Sequence, residues 1–298
     1  MRGSIRALDT ASPLAVPKRP GGLVAFAQRA RRSPQFVVGA ALFAGLLLMA
    51  LFAPLLAGQD PIAIDVRARL QPPSLTHPFG TDDLGRDIYS RVIWGSRLAV
   101  RLGTLSVLVA AVGGVALGLV AGYYGRWVDQ LISRMFDVIL AFPTELFAIG
   151  IIAILGPSLD NLIVALGVFG WAGYGRVVRG QVLSARRREY VEAAHALGAR
   201  ARRIMTRHIL PNVIAPVIIL SATRFGGALL AGSGLSLIGL GVPIPQPEWG
   251  AIIATGRDYL GTASWIVLFP GVLIFVAVLG VNLLGDGLRD VLDPRLRN

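Results

Sequence analysis

Apolar residues in this chain come in blocks of about twenty, divided by short polar stretches. The first block runs from Phe36 to Leu56 without a charge. At about 1.5 Å of rise per residue, a helix of that length crosses a hydrocarbon core of roughly 30 Å. Five more blocks follow, at residues 98–122, about 130–155, about 159–178, Pro211 to about Leu235, and Leu260 to Leu284. In the second, Gly114, Gly118 and Gly122 recur every four residues and line one helix face for close packing. The pattern predicts an all-α integral membrane protein with six transmembrane helices, residues 34–298, and shows no internal repeat.

The polar stretches differ among themselves. Residues 1–33 hold seven basic side chains against the single acid Asp9, with scattered Pro and Gly, and read as a flexible basic tail. Residues 58–97 are rich in turn formers and acids and read as one long loop. Between the fourth and fifth blocks lies a third kind of stretch, residues 184–210, dense in arginine. Its apolar residues fall at Val191, Ala194 and Leu197, then at Ala201, Ile204, Met205 and Ile209, a helical spacing on both sides of Gly198. Gly198 therefore sits where one short helix ends and a second begins. Pro211 reads as the first turn of the long helix that follows.

Composition narrows the possibilities. Hydrophobic residues make up 54% of the 298 and charged residues only 15%, against about a quarter charged in soluble domains. Without cysteine there is no disulfide or thiolate chemistry. Lys18 is the only lysine and no Gly-x-x-x-x-Gly-Lys-Ser/Thr loop surrounds it, so the chain has no P-loop with which to hydrolyse ATP. The net charge of +12 comes almost wholly from arginine. Six spans put both ends on one side, and that face collects 21 basic residues against seven on the other. The positive-inside rule makes it cytosolic, which puts residues 184–210 in the cytosol and 58–97 outside.

Glu192-Ala193-Ala194, then Gly198 after three residues, then Leu210-Pro211, is similar to the EAA motif of ABC importer permeases. On these residues alone the alternatives are a solvated basic loop, a helix on anionic headgroups, or a DNA-reading helix-turn-helix. The last would need aromatic or base-reading side chains, of which there are few. Further stretches resemble the C-type permease subunit of dipeptide, oligopeptide and nickel importers. They are His77 through Asp87, Gly122-Tyr123-Tyr124-Gly125, Asp137 through Pro143, Arg207 through Asn212, Leu235 through Gly241 with Trp249-Gly250, and Asn282 through Asp290 with Leu292 through Arg295. The likeness covers about residues 35–297, in order. His208 stands where the broader EAA pattern has isoleucine but suits this subfamily, and Arg224 departs from the likeness at a position that is usually apolar.

The resemblance implies a permease in the bacterial cytoplasmic membrane that couples to ATP hydrolysis elsewhere. Its partners would be a homologous permease subunit, two cytosolic ATP-binding subunits and an external solute-binding protein, with lipid around it and no nucleic acid. ATP and Mg would be bound by the ATPase subunits, and this chain would carry no cofactor, no metal and no catalytic residue. Residues Glu189, Tyr190, Glu192, Ala193, Ala194, Leu197 and Gly198 would form the coupling contact. The cargo would be di- or oligopeptides, or in the same architecture nickel chelates or another small solute. His195 and His208 have no acidic ligands at matching spacing, so docking or packing is their expected role. Asp82, Asp83 and Asp87 read as an ordered turn with an aspartate capping the next helix.

Glu145 and Arg224 stand inside predicted spans, where an ionisable side chain usually faces a partner or a cavity. Counting from residues 129 and 211 puts them about 24 and 20 Å deep. Both are expected to face the translocation pathway, as an ion pair or as substrate contacts. A rival class, the ion-driven secondary transporter, would need broken spans and clustered midplane carboxylates; these two residues alone are thin support for it.

Overall fold

The computed structural model describes residues 22–292. Their regular structure is helical, apart from one isolated antiparallel bridge between Thr81 and Asp87. The helices are α1 (Gly22–Arg32), α2 (Pro34–Leu51), α3 (Ala53–Leu56), α4 (Ile88–Tyr124), α5 (Arg126–Leu140), α6 (Thr144–Leu155), α7 (Leu159–Ala185), α8 (Glu189–Ala196), α9 (Ala201–Arg203), α10 (Leu210–Leu237), α11 (Trp249–Gly256) and α12 (Trp265–Leu292). Helices α2, α4, α7 and α12 are each long and apolar enough to cross a membrane. So is the continuous helix Ala201–Leu237, in which a π-helical segment joins α9 to α10. A sixth crossing is made by α5 and α6 only as a pair, bent by 84°.

Glycine decides how the bundle closes. A Cβ on Gly114 would stand 2.4 Å from the Trp171 carbonyl oxygen, on Gly118 2.6 Å from that of Gly175, and on Gly122 2.7 Å from Val182 Cβ. The ladder on α4 thus lies against the backbone of α7, as the four-residue spacing predicts. Contacts advance in the same sense on both helices, so α4 and α7 run parallel, and the chain between them must return. Helix α6 makes that return: the Phe147 and Phe169 rings stack with centroids 4.1 Å apart, and Asn161 Nδ2 donates to the Leu155 carbonyl oxygen at 3.0 Å. Helix α10 runs antiparallel to α7, with Tyr174 Oη donating to Ser221 Oγ at 3.0 Å and Gly232 packing near Leu162. Helix α12 runs antiparallel to α10, Gly285 meeting Ala222 and Val281 meeting Gly226. Helix α2 runs antiparallel to α12, Gly39 against Leu284 and Gly287 against Phe36. Six alternating passes therefore return both ends of the described chain to the end of the bundle that carries α8.

Several boundaries differ from the sequence reading, each for a physical reason. Of the supposedly flexible tail, Gly22–Arg32 is a helix; Ala30 is buried, the Phe26 and Phe36 rings meet edge to face at 6.1 Å, and Arg29 Nη1 donates to the Val291 carbonyl oxygen at 2.9 Å. Residues 1–21 and 293–298 lie outside the described residues. The predicted loop 58–97 ends early, because Asp87 caps α4 through Ser90 N at 2.7 Å and the helix starts at Ile88. At 37 residues α4 is about 55 Å long, well beyond a hydrocarbon core. The third block is not one helix. Pro143, which restricts the residue before it and lacks a donor, separates α5 from α6. Helix α7 continues to Ala185, seven residues past its expected end. The sixth span begins at Trp265 and carries through the charged turn to Leu292.

Helix α5 crosses α7 rather than following it. Asp129 pairs with Arg179 and Asp137 Oδ1 with Arg176 Nη2, the latter at 2.7 Å. About 12 Å of α5 thus spans only about 4.5 Å of α7. The Phe136 ring fills the crossing point, where a Cβ on Gly175 would stand 2.2 Å from it.

At the end away from α8 the polar stretch is ordered. Asp82 accepts from Arg86 Nε at 2.6 Å and from the Leu84 and Arg86 amides at 2.9 Å, and Arg91 Nε lies 3.7 Å away. All three side chains are almost fully buried. Asp87, besides capping α4, lies 3.0 Å from His77 Nδ1. Trp249 Nε1 on α11 donates to the Val92 carbonyl oxygen at 2.9 Å, tying α11 to α4. Glu248 caps α11 through the Gly250 and Ala251 amides at 2.9 and 2.8 Å, and its burial pushes its carboxyl above the ordinary range.

If backbone approach holds the parallel pair, Gly118→Leu lowers stability by at least about 1–3 kcal/mol, the cost of overpacking. Gly150→Leu, at a site with nothing within 4 Å of an added Cβ, does not. Thermal unfolding midpoints of the detergent-solubilised protein check both.

Candidate functional site

The stretch between α7 and α10 folds as the glycine pattern predicts. Helix α8 covers Glu189–Ala196, and Gly198 follows it with φ of 74°. The Ala199 amide donates to the Ala194 carbonyl oxygen at 3.0 Å and the Gly198 amide to that of His195 at 2.9 Å. This 6→1 and 5→2 pair is a Schellman motif, which needs a left-handed residue where Gly198 stands. The turn reverses the chain and throws Leu197 outward, so that its side chain is 88% exposed. Leu197 thus offers apolar surface at the tip of a polar loop.

Helical geometry divides the expected coupling residues. Glu189, Tyr190, Glu192, Ala193, Leu197 and Gly198 face outward. Ala194 does not: with Val191 it turns inward, at 7% and 0% exposure, onto Ile204, Ile209 and Val182. Positions three apart share a face, so Val191 and Ala194 both turn toward the bundle, although Ala194 still borders the groove beside α8. Beside α8 opens a groove lined by Tyr190, Ala193, Leu197, Arg200, Arg203 and His208. Arg200 and Arg203 were not among the expected contacts, although their spacing after Gly198 puts them on the second arm; His208 was expected in docking or packing.

The element is bound to the bundle through α4 and α10. Arg186 Nη1 donates to the Tyr123 carbonyl oxygen at 2.8 Å, and His195 Nε2 lies 3.3 Å from Tyr123 Oη with the rings stacked. Asn212 Nδ2 donates to Tyr190 Oη at 3.3 Å. The second arm is no separate helix. It runs into α10 through the π-type turns Ile204–Ile209, closed by the Leu210 amide on the Met205 carbonyl oxygen. Pro211 explains the widening: it has no amide for the Arg207 carbonyl and its ring crowds that oxygen. Pro211 stands in the first turn of α10, as expected, but the π-type segment runs into that helix without a break.

The second candidate site lies within the bundle. Glu145 and Arg224 line one cavity of about 140 Å³ between α4, α6, α7 and α10, with Ser106, Thr144, Gly170 and Tyr174 in its wall. The depth count that led to this pairing assumed a straight third span; with α5 lying across α7, Glu145 reaches the cavity because α6 starts beside the middle of α7. Arg224 fits there because α7 has no side chain at Gly173, where a Cβ would stand 2.3 Å from Arg224 Nη2. Among the described residues no ion pair joins Glu145 to Arg224. Gly173 and Ser106 were not singled out in the sequence, because a lone glycine and a serine in an apolar run carry no signal of a cavity.

The chain resembles known proteins along most of its length. A family model described as binding-protein-dependent transport system inner membrane component matches residues 114–298. Another, the N-terminal TM domain of oligopeptide transport permease C, matches residues 24–73. Among curated proteins, the chain is 47% identical over 262 residues to the dipeptide transport system permease protein DppC of Alkalihalophilus pseudofirmus, covering 88% of this chain and 86% of that protein. It is 41% identical over 263 residues to the probable D,D-dipeptide transport system permease protein DdpC of Escherichia coli, 88% of each. It is 42% identical over 226 residues to the glutathione transport system permease protein GsiD of Pectobacterium atrosepticum, 76% of this chain and 75% of that one.

The turn at Gly198 can be tested apart from any partner. A Cβ there meets nothing within 4 Å, so Gly198→Val costs only the left-handed backbone, about 1–2 kcal/mol. Hydrogen exchange is expected to show faster exchange of the α8 amides with the thermal midpoint of the bundle little changed.

Proposed function

The chain belongs to the family of binding-protein-dependent transport system inner membrane components, and on that premise we propose that it forms half of the translocation pathway of an ATP-driven peptide importer, engaged by its ATPase through α8. The observation that carries the coupling role is Leu197, held outward by the Schellman turn beside the outward faces of Glu189, Glu192 and Ala193. A chain without a P-loop needs an external source of work, and a rigid exposed helix bound to α4 and α10 can pass it on. Displacing α8 moves the ends of both helices, since Tyr123 and Asn212 are tied to it. Such coupling requires two states that differ in their contacts at both sites.

The remaining parts follow from this. A homologous permease subunit supplies the other half of the pathway, two ATP-binding subunits bind ATP and Mg, and an external protein delivers the solute. Peptides are the cargo that the relatives' names favour. The arginine excess on the α8 end favours a cytosolic position for α8 and both chain ends in a bacterial inner membrane. Glu145 and Arg224 are pathway residues on this reading, and the bent α5–α6 pair is an elbow of the bundle, not the broken midplane helix of an ion-coupled carrier.

Vesicles carrying the assembled transporter decide between ATP and an ion gradient as the drive. Peptide uptake is expected to stop on ATP depletion and to persist with an uncoupler while ATP is maintained; the reverse pattern identifies a secondary transporter. Leu197→Asp is expected to lower ATP-dependent uptake by more than about ten-fold, the scale of a buried apolar contact of roughly 1.5–3 kcal/mol, without altering the amount of folded permease.

A further inference from the structure

The cavity between α4, α6, α7 and α10 holds two opposite charges that do not neutralise each other. Glu145 stands in the first turn of α6, where the helix dipole favours a negative charge. Arg224 projects from the middle of α10 into the space left by Gly173. Neither has an ion pair among the described residues. A third group points the same way. Ser106 is only 3% exposed, lines the same cavity, and its Oγ has no hydrogen-bond partner. Buried hydroxyls are normally satisfied, so an unmet one beside Thr144, Tyr174 and the two charges marks a place for a polar occupant. A cation, an anion and a free hydroxyl around about 140 Å³ suit a small solute carrying both charges and a hydrogen-bonding group between them.

We propose that this cavity recognises the main chain of a peptide with both termini free. The Arg224 guanidinium donates to the terminal carboxylate, Glu145 accepts from the terminal ammonium, and the Ser106 hydroxyl bonds the peptide group. This rests on the reading of the chain as a peptide importer subunit and adds to it a residue-level basis for selection within the membrane. Arginine is suited to its part because its fork binds a carboxylate through two parallel hydrogen bonds. The volume admits the main chain of a short peptide and no bulky solute. Side chains of the peptide are left outside the cavity, so recognition through the termini is indifferent to peptide sequence.

The test uses the complete importer with its binding protein in proteoliposomes. Maximal ATP-dependent uptake is measured at saturating loaded binding protein for dialanine, its C-terminal amide and its N-acetyl derivative. The binding protein is the same throughout, so its own preference cancels in the ratio of variant to wild type for each solute. Arg224→Gln is expected to cut dialanine uptake about ten-fold or more, as loss of a charged hydrogen bond does, and to leave the amide within two-fold of wild type. Glu145→Gln is expected to do the same for dialanine against the N-acetyl derivative. Gly173→Ala, which displaces the guanidinium and keeps both charges, is expected to reproduce the Arg224→Gln pattern in weaker form, and it carries the test should Arg224→Gln fail to assemble. Equal loss for free and blocked peptides overturns the proposal, as does recovery of uptake in the exchanged pair Glu145→Arg with Arg224→Glu, which would mean a latch between the two residues. If the wild-type importer takes up none of the three solutes with ATP, the peptide cargo falls and the importer reading is left with another small solute, a result distinct from either.

Discussion

The approach of α4 to α7 through Gly114, Gly118 and Gly122 is the contact on which the rest depends. Because three positions lack side chains, backbone meets backbone, and two helices that are not consecutive in the chain run side by side in the same direction. A parallel pair obliges the intervening chain to return, which is why α5 and α6 exist as an elbow and a rising helix. It also brings Tyr123, at the end of α4, to the end of α7, where Arg186 and His195 hold it. The surface that we assign to coupling is thus anchored on the same pair that sets the topology. A larger side chain in the ladder would separate the helices and displace α8 with them.

Much of this was legible in the sequence, and what was not has identifiable causes. Runs of about twenty apolar residues mark spans because nothing else satisfies a backbone in lipid, and the glycine spacing marked the packing face. Gly198 was legible as a helix stop because a left-handed turn leaves few alternatives. The elbow was not legible: α5 carries Arg126, Asp129, Arg134 and Asp137 on a partly apolar helix, and apolarity averaged over 130–155 hid the change of direction at Pro143. Pro211 was legible as the first turn of α10, but the π-type segment that runs into it without a break was not. Ala194 shows a limit of motif reading: adjacent residues in a motif point about 100° apart on a helix, and the motif does not say which one is inside.

The two candidate sites occupy different levels of one mechanism. At one end a short helix presents an exposed leucine and two glutamates on a scaffold that reaches α4 and α10. Midway along the bundle those same helices, with α6 and α7, border the cavity that Glu145 and Arg224 line. Motion of α8 relative to the bundle would therefore be felt at the cavity wall through helices common to both. The π-type turns between Ile204 and Ile209 lie on that route. Such turns interrupt the regular hydrogen-bond ladder and are a recurrent feature of functional sites.

The central claim, that α8 is where the chain engages its ATPase, can be tested by labelling because the chain contains no cysteine. Leu197→Cys places a single thiol at the most exposed point of the turn, and Leu75→Cys places one at a fully exposed position at the opposite end of the bundle. Labelling rates with a soluble maleimide are measured in open membrane fragments, with and without the ATPase subunits. The account predicts strong protection at position 197 when they are present and none at position 75. Equal labelling at position 197 with and without bound ATPase would contradict it.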